Sequence, residues 1–290
     1  MSLASVEPTP IRVRGRSFVW GSRTFLMGII NVTPDSFSDG GEVASPEDAA
    51  KRAFLLEKEG ADIIDIGGES TRPFSEPVPE SEEIARVIPA IRMIRQGSNI
   101  PISIDTQKSG VADAALAAGA DIINDVSAMR FDPGMVEVAA RRGAPVIIMH
   151  MLGTPQDMQI SPSYGDVVSE VAGFLAERAR WAEAQGIPKD HIILDPGIGF
   201  GKRLEDNLVL IDHIGMIREL GYPVLVGPSR KAFLGVLTGI KNPRERDIPT
   251  VGAACAAAIR GADLVRVHDV STVRPALLVA DAVSRGPRHG

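Results

Sequence analysis

The sequence predicts an α/β protein of one domain, a (β/α)8 barrel of the TIM type with a short N-terminal strand or hairpin ahead of it. Apolar runs of strand length recur eight times, at Thr24–Ile30, Asp62–Ile66, Pro101–Ile104, Asp121–Ile123, Pro145–Met149, His191–Leu194, Pro223–Val226 and Asp263–Val267. Most neighbours are far enough apart to hold a helix between them. A second sign is a phrase written three times, Gly60–Asp65, Gly119–Asn124 and Gly261–Arg266. Each opens on Gly-Ala-Asp and runs through two aliphatic residues to a polar one. The glycine ends a helix, and the apolar pair reads as a buried parallel strand. Third, no linker rich in Pro, Gly or Ser divides the 290 residues, a length that suits one such barrel.

Each element follows from local chemistry. Residues 1–20 form the extension, with Val13–Trp20 weakly strand-like and placed to cover the barrel floor; residues 21–285 form the barrel. Pro101, Pro145 and Pro223 open strands, where a missing N–H is tolerated. Val167–Gln185 carries Val168, Val171, Phe174, Leu175, Ala179 and Ala182 at helical spacing and stops at Gly186. Ser81–Ile94 and Asn207–Leu220 read the same way, and Val251–Ile259 is a helix of small residues. Two connections, Asn31–Gly41 and Gly67–Pro77, are longer than the barrel needs and dense in Gly, Pro, Ser and Asp. Loops of that kind at the catalytic face act as lids or binding loops; the alternative is irregular solvated chain.

Composition narrows the partners. A net charge of −6 gives no basic field for nucleic acid or an anionic membrane, so a polyanionic ligand needs a local positive site. A single cysteine, Cys255, excludes an internal disulfide and suits a reducing cytoplasm. No apolar stretch reaches membrane-spanning length, and the first twenty residues lack a signal-peptide core. The expectation is a soluble cytoplasmic enzyme.

In a parallel barrel the active site sits at the carboxyl ends of the strands. Here those ends carry Asn31, Asp65, Asp105, Asn124, Met149-His150, Asp195, then Lys231, and Arg266 with His268. Arg266, His268 and Asn31 should converge, because the first and last strands are neighbours, and Arg72 can reach them from the second loop. An arginine fork, a histidine and an amide oxygen for a cation suit a polyphosphate. The alternatives are an interior ion pair of Arg266 with Asp65 or Asp269, and a satisfied core histidine at His268. Asp105, Asn124 and Asp195 can accept and donate along an amino-pyrimidine edge. Met149 and Phe200 offer apolar faces to a flat ring. Metal binding by two aspartates, or loop capping, are the competing readings. Leu194–Lys202 lets the backbone approach a ligand closely through its glycines. Val226–Lys231, with Gly227, Pro228 and Ser229, reads as a helix start able to hold an anion, or as an ordinary N-cap at Ser229.

Taken in order, Asn31–Gly41, Asp65–Pro73, Ser103–Thr106, Asn124–Ser127, Met149–Met151, Leu194–Lys202, Gly227–Lys231 and Arg266–Val270 resemble the motifs of the dihydropteroate synthase family across nearly the whole chain. The resemblance implies condensation of 6-hydroxymethyl-7,8-dihydropterin pyrophosphate with p-aminobenzoate in folate synthesis, through a dissociative, carbocation-like step. It implies that Asp105, Asn124, Met149, Asp195, Phe200, Gly227 and Lys231 hold the pterin. It places Asn31, Arg266 and His268, with Arg72, on pyrophosphate, and makes Asn31 the ligand of a Mg2+ cofactor. Phe37, Thr71, Pro73 and Ser229 fall to p-aminobenzoate, and Asp65, Asp105, Lys231 and Arg266 to catalysis. It further implies a homodimer and a target of sulfonamides. Phe74-Ser75 stands where the family has Gly-Ala, and Glu245–Thr250 is looser than the family's form; both bear on affinity, not on the residues assigned to chemistry. A pterin-binding methyltransferase would not need Arg266-x-His268, Ser229 or the first loop. A non-catalytic pterin-binding paralogue would show damage in the loops, yet Asn31–Gly41 is intact.

Overall fold

The computed structural model describes residues 7–33, 45–70 and 75–286. A two-stranded antiparallel hairpin, β1 (Ile11–Val13) and β2 (Arg16–Phe18), comes first. Eight parallel strands follow: β3 (Phe25–Asn31), β4 (Ile63–Gly67), β5 (Ile102–Asp105), β6 (Ile122–Asp125), β7 (Val146–Met149), β8 (Ile192–Asp195), β9 (Leu225–Val226) and β10 (Leu264–Val267). Their order is β8-β7-β6-β5-β4-β3-β10-β9, and a bridge between Leu194 and Val224 closes the ring. The expected TIM barrel is the observed fold. Among the described residues its outer helices are α1 (Pro46–Glu59), α2 (Glu80–Gly97), α3 (Ser109–Ala118), α4 (Gly134–Arg142), α5 (Val167–Ala184), α6 (Leu204–Asp212), α7 (Ile214–Arg218), α8 (Ala232–Thr238), α9 (Asp247–Ile259) and α10 (Val270–Arg285). None of them is long and apolar enough to cross a membrane.

The hairpin covers the barrel floor, as its pattern foretells. Ile11, Val13, Phe18 and Trp20 join Met27, Ile63, Ile122, Ile147, Ile193, Leu225 and Leu264 in one buried cluster. Those seven barrel residues alternate inward along their strands, so the floor is packed from both sides. Burying a side chain of this size contributes about 2 kcal/mol.

The strands start one or two residues later than the apolar runs suggest, because the leading residues have other work. The prolines lend carbonyls: those of Pro101, Pro145 and Pro223 accept from Ile64, Ile123 and Leu194, each at 2.9 Å. The aspartates of the repeated phrase accept N–H groups at the start of a neighbouring strand. Asp62 takes Leu26 N at 2.9 Å, Asp121 takes Ile102 N at 2.9 Å and Asp263 takes Val224 N at 3.1 Å. An arginine pairs with each: Arg23, Arg95 and Arg218.

Two helices differ from expectation. Asn207–Leu220 is not one helix but α6 and α7, broken at His213, whose backbone leaves the helical region at φ −111 and ψ 23. Its N–H closes α6 by bonding the carbonyls of Val209 and Leu210, and Gly215, a poor helix former, follows. α9 begins at Asp247, four residues before Val251, for a reason that belongs to the site.

A buried charged mouth at the carboxyl ends of the strands

Asn31, Asp105 and Asp195 end β3, β5 and β8, while Asn124 and Arg266 are penultimate in β6 and β10. Asp65 lies deeper, within β4 and fully buried. The polar letters are therefore inside the strands and not beyond them, because each finds a partner in the barrel. Arg266 Nε donates to Asp65 Oδ2 at 2.6 Å, and its Nη2 donates to Asp105 Oδ2 at 2.7 Å. Asn124 Nδ2 donates to Asp65 Oδ2 at 3.2 Å. The interior ion pair of Arg266 is thus present, with Asp65 and with Asp105. Asp269 instead caps α10, accepting from Thr272 N. Burial works against the Arg266 charge, but the two carboxylates outweigh it and raise its pKa. Burial also pushes Asp105 up, against the pull of Arg266 and with the help of Asp65.

One atom stands out in this network. Among the described residues, Asp105 Oδ1 is buried without a hydrogen-bond partner. A buried carboxylate oxygen left unpaired costs free energy, so this acceptor is held ready for a donor brought by a ligand.

Asp195 lies on the far side of the same mouth. Its Oδ1 accepts from Gly197 N at 2.7 Å. Burial raises its pKa to about 6, opposed by that N–H and by Lys231, Lys202 and Arg266. The turn requires glycine: at Gly197 φ is +69, and a Cβ would lie 1.9 Å from the His150 carbonyl oxygen. The chain then brings Phe200 into a buried cluster with Met149, Val126, Met151 and Met158, an apolar shelf beside the polar groups. Lys231 Nζ sits 3.8 Å from the Phe200 ring centroid, a cation–π contact that aims the ammonium over the shelf. Gly227 backs onto Arg266, whose Cβ would lie 3.9 Å from a Cβ placed there.

Ser229 does not start a helix. α8 begins at Ala232, and Ser229 Oγ instead lies 2.8 Å from His268 Nδ1 and accepts from His268 N at 3.1 Å. Ser229, in the loop after β9, is therefore tied to the residue that follows β10. Asn31 ends β3, the strand paired with β10. Phe37, Thr71, Arg72, Pro73 and Phe74 lie outside the described residues.

Lys202, which the sequence marks only as the last residue of the glycine-rich segment Leu194–Lys202, lies beside this mouth. It is buried, with Nζ 2.9 Å from His150 Nδ1 and 3.0 Å from the Phe200 carbonyl. Burial lowers its pKa to about 7, and burial with the Lys202 charge lowers that of His150 to about 3. A pKa that low keeps the His150 imidazole neutral near pH 7. The available signal was a lysine closing a glycine-rich turn directly after a strand-end aspartate.

The model of one family, the pterin binding enzymes, matches residues 27–268, a span that holds every described residue of this mouth from Asn31 to His268. A dihydropteroate synthase of Synechocystis is 47% identical over 283 residues, 98% of either chain. The Yersinia pestis dihydropteroate synthase, solved with a sulfonamide drug complex, superposes with a TM-score of 0.91 at 40% identity, covering 96% of this chain and 100% of that one. The Xanthomonas albilineans enzyme in complex with 7,8-dihydropteroate superposes with a TM-score of 0.86 at 45% identity, covering 96% and 100%. The chain belongs to the dihydropteroate synthase family.

Proposed function

We infer that the chain condenses 6-hydroxymethyl-7,8-dihydropterin pyrophosphate with p-aminobenzoate, giving 7,8-dihydropteroate and pyrophosphate. Family membership supports the activity, and the partnerless Asp105 Oδ1 carries the assignment of the site. The amino-pyrimidine edge of a pterin presents N–H donors to this oxygen and to Asp195, and Asn124 serves donor and acceptor together. The ring lies on Met149 and Phe200 with Lys231 at its rim. Arg266, His268 and Asn31 meet the pyrophosphate.

The carbon–oxygen bond to pyrophosphate breaks first, with the pair of electrons leaving on oxygen. The electron-rich reduced pterin carries the positive charge that develops on the methylene carbon. Asp65 and Asp105, close to that charge, stabilise it, while Arg266 attracts the departing anion. The aromatic amine then supplies its lone pair to the carbon and loses a proton. Asn31 is the residue that would hold Mg2+. A single amide oxygen suits an ion that takes most of its ligands from phosphate and water, and among the described residues no cluster of three His, Cys, Asp or Glu offers a protein cage. When bound, the ion neutralises charge on the leaving group. Thr71, Pro73 and Phe37, with Ser229, complete the p-aminobenzoate side.

The working form is a homodimer, and the free Cys255 fits a cytoplasmic location. Assay with the pterin pyrophosphate, Mg2+ and p-aminobenzoate tests the whole. Turnover should be lost in Lys231→Ala and Arg266→Ala; unaffected turnover in both would overturn the assigned roles. Positional isotope scrambling of the bridging oxygen without p-aminobenzoate tests the dissociative order, and its absence would count against it.

A further inference from the structure

The segment Glu245–Thr250 has a task in the structure. It packs beneath the loop that carries Ser229 and Lys231. Between them stands Arg230, with φ at +57. A residue with a side chain adopts that left-handed conformation only at a cost, so something must hold it.

The first turn of α9 does so. Arg230 N donates to Thr250 Oγ1 at 3.0 Å, and the guanidinium grips the Asp247 carboxylate through Nε at 2.7 Å and Nη2 at 2.9 Å. Arg246 Nη1 donates to the Arg230 carbonyl at 3.2 Å and approaches that of Lys231 at 3.5 Å. The rest of the Arg246 fork donates to the carbonyls of Ile240 at 3.0 Å and Lys241 at 2.6 Å. Its guanidinium lies flat against Gly235, where a Cβ would come within 2.6 Å. The left-handed turn reverses the chain between its neighbours: Ser229 faces His268, and Lys231 faces Phe200.

We propose that Asp247 and Thr250, assisted by Arg246, are positioning residues for this reaction, holding Arg230 left-handed so that Lys231 reaches the pterin and Ser229 reaches His268. The proposal rests on the assignment of Lys231 to the pterin site. Asp247 and Arg230 are partly exposed, with side chains 23% and 27% accessible. Their pair therefore adds little to global stability, and its removal acts on the loop.

The test uses Asp247→Asn and Thr250→Val in the full chain, with steady-state kinetics for both substrates, equilibrium binding of the pterin pyrophosphate and thermal melting. In each variant the KM for the pterin substrate rises about tenfold, the equivalent of releasing one strained residue, while melting stays near that of the parent. Adding Arg230→Gly to Asp247→Asn recovers most of the lost affinity, because glycine occupies positive φ without support. Unchanged KM values in both variants, or a loss that Arg230→Gly does not recover, would overturn the proposal. If Asp247→Asn fails to fold, Thr250→Val decides. Lys231→Ala separates the two layers. Pterin binding intact in Lys231→Ala sinks the site assignment itself. Binding lost there but normal in Asp247→Asn and Thr250→Val sinks only the brace.

Discussion

Asp195 is asked to be ionised in a place that opposes ionisation. Burial raises its pKa to about 6, and one backbone N–H with the charges of Lys231, Lys202 and Arg266 limits the rise. A folded-state pKa above the unfolded value near 4 means that the fold holds the proton more tightly than the open chain does. The contribution of this group to stability is then full below about pH 4 and is lost as pH rises through about 6. In the proposed site function runs the other way, because only the carboxylate would accept two N–H bonds from the pterin edge. Affinity for the pterin substrate should therefore fall on acidification from about pH 6, approaching tenfold per unit. Isothermal binding measured between pH 5 and 8 checks this, and Asp195→Asn should bind weakly at every pH and lose the slope. A parent enzyme with flat affinity across that range would contradict the assignment. Asp105 adds to the same trend, since burial raises it too.

At the scale of elements, the phrase Gly-Ala-Asp was legible as a strand signal, while the purpose of its aspartate was not. Glycines 60 and 119 cap α1 and α3 at φ +102 and +117, as the sequence suggests. The carboxylates that follow bind partners supplied by other strands and helices, a relation that no local pattern records. Asp263 is the most enclosed: it is fully buried, accepts from Gly21 N at 2.9 Å and Val224 N at 3.1 Å, and pairs with Arg218. Burial pushes its pKa up, so the intact group is worth little net. Removing one partner leaves the others stranded. Asp263→Ala should cost about 3 kcal/mol, lowering the melting temperature by roughly 8 °C. Substrate affinity at 25 °C should stay unchanged, since these groups lie at the opposite end of the barrel from the mouth. Calorimetry beside a binding isotherm separates the two, and a variant melting with the parent would refute the role. The same reasoning explains what escaped the sequence at the site. Arg266 and Asp105 are 161 residues apart, Ser229 and His268 39, and Arg230 adopts a glycine-like conformation without being glycine. The residue types were readable; their pairing was created by closing the ring.

Among the described residues, α9 and α10 each expose aliphatic side chains at helical spacing. On α9, Ile248, Gly252, Ala256 and Ile259 follow one another at helical spacing and are exposed. On the adjoining α10, Val279 and Val283 are 65% and 75% exposed, next to Leu278 at 57%. Single exposed aliphatic residues are ordinary, but rows of them on two packed helices offer the surface that the proposed homodimer needs. Small residues on α9 let a second backbone come close. A two-fold axis through this face would bury the same patch on both copies, which is the geometry of an isologous dimer. It would also place the partner against α9, the helix whose first turn holds Arg230, Lys231 and Ser229 in line. Sedimentation should therefore give a dimer for the parent chain. Val279→Asp should shift it to monomer by placing a charge in an apolar contact, with the fold retained because that side chain faces outward. The monomer should bind the pterin substrate more weakly than the dimer, since the first turn of α9 loses its outer support. A Val279→Asp chain that remains dimeric would move the interface elsewhere, and a monomer with undiminished pterin affinity would show that the brace on Arg230 stands without the second copy.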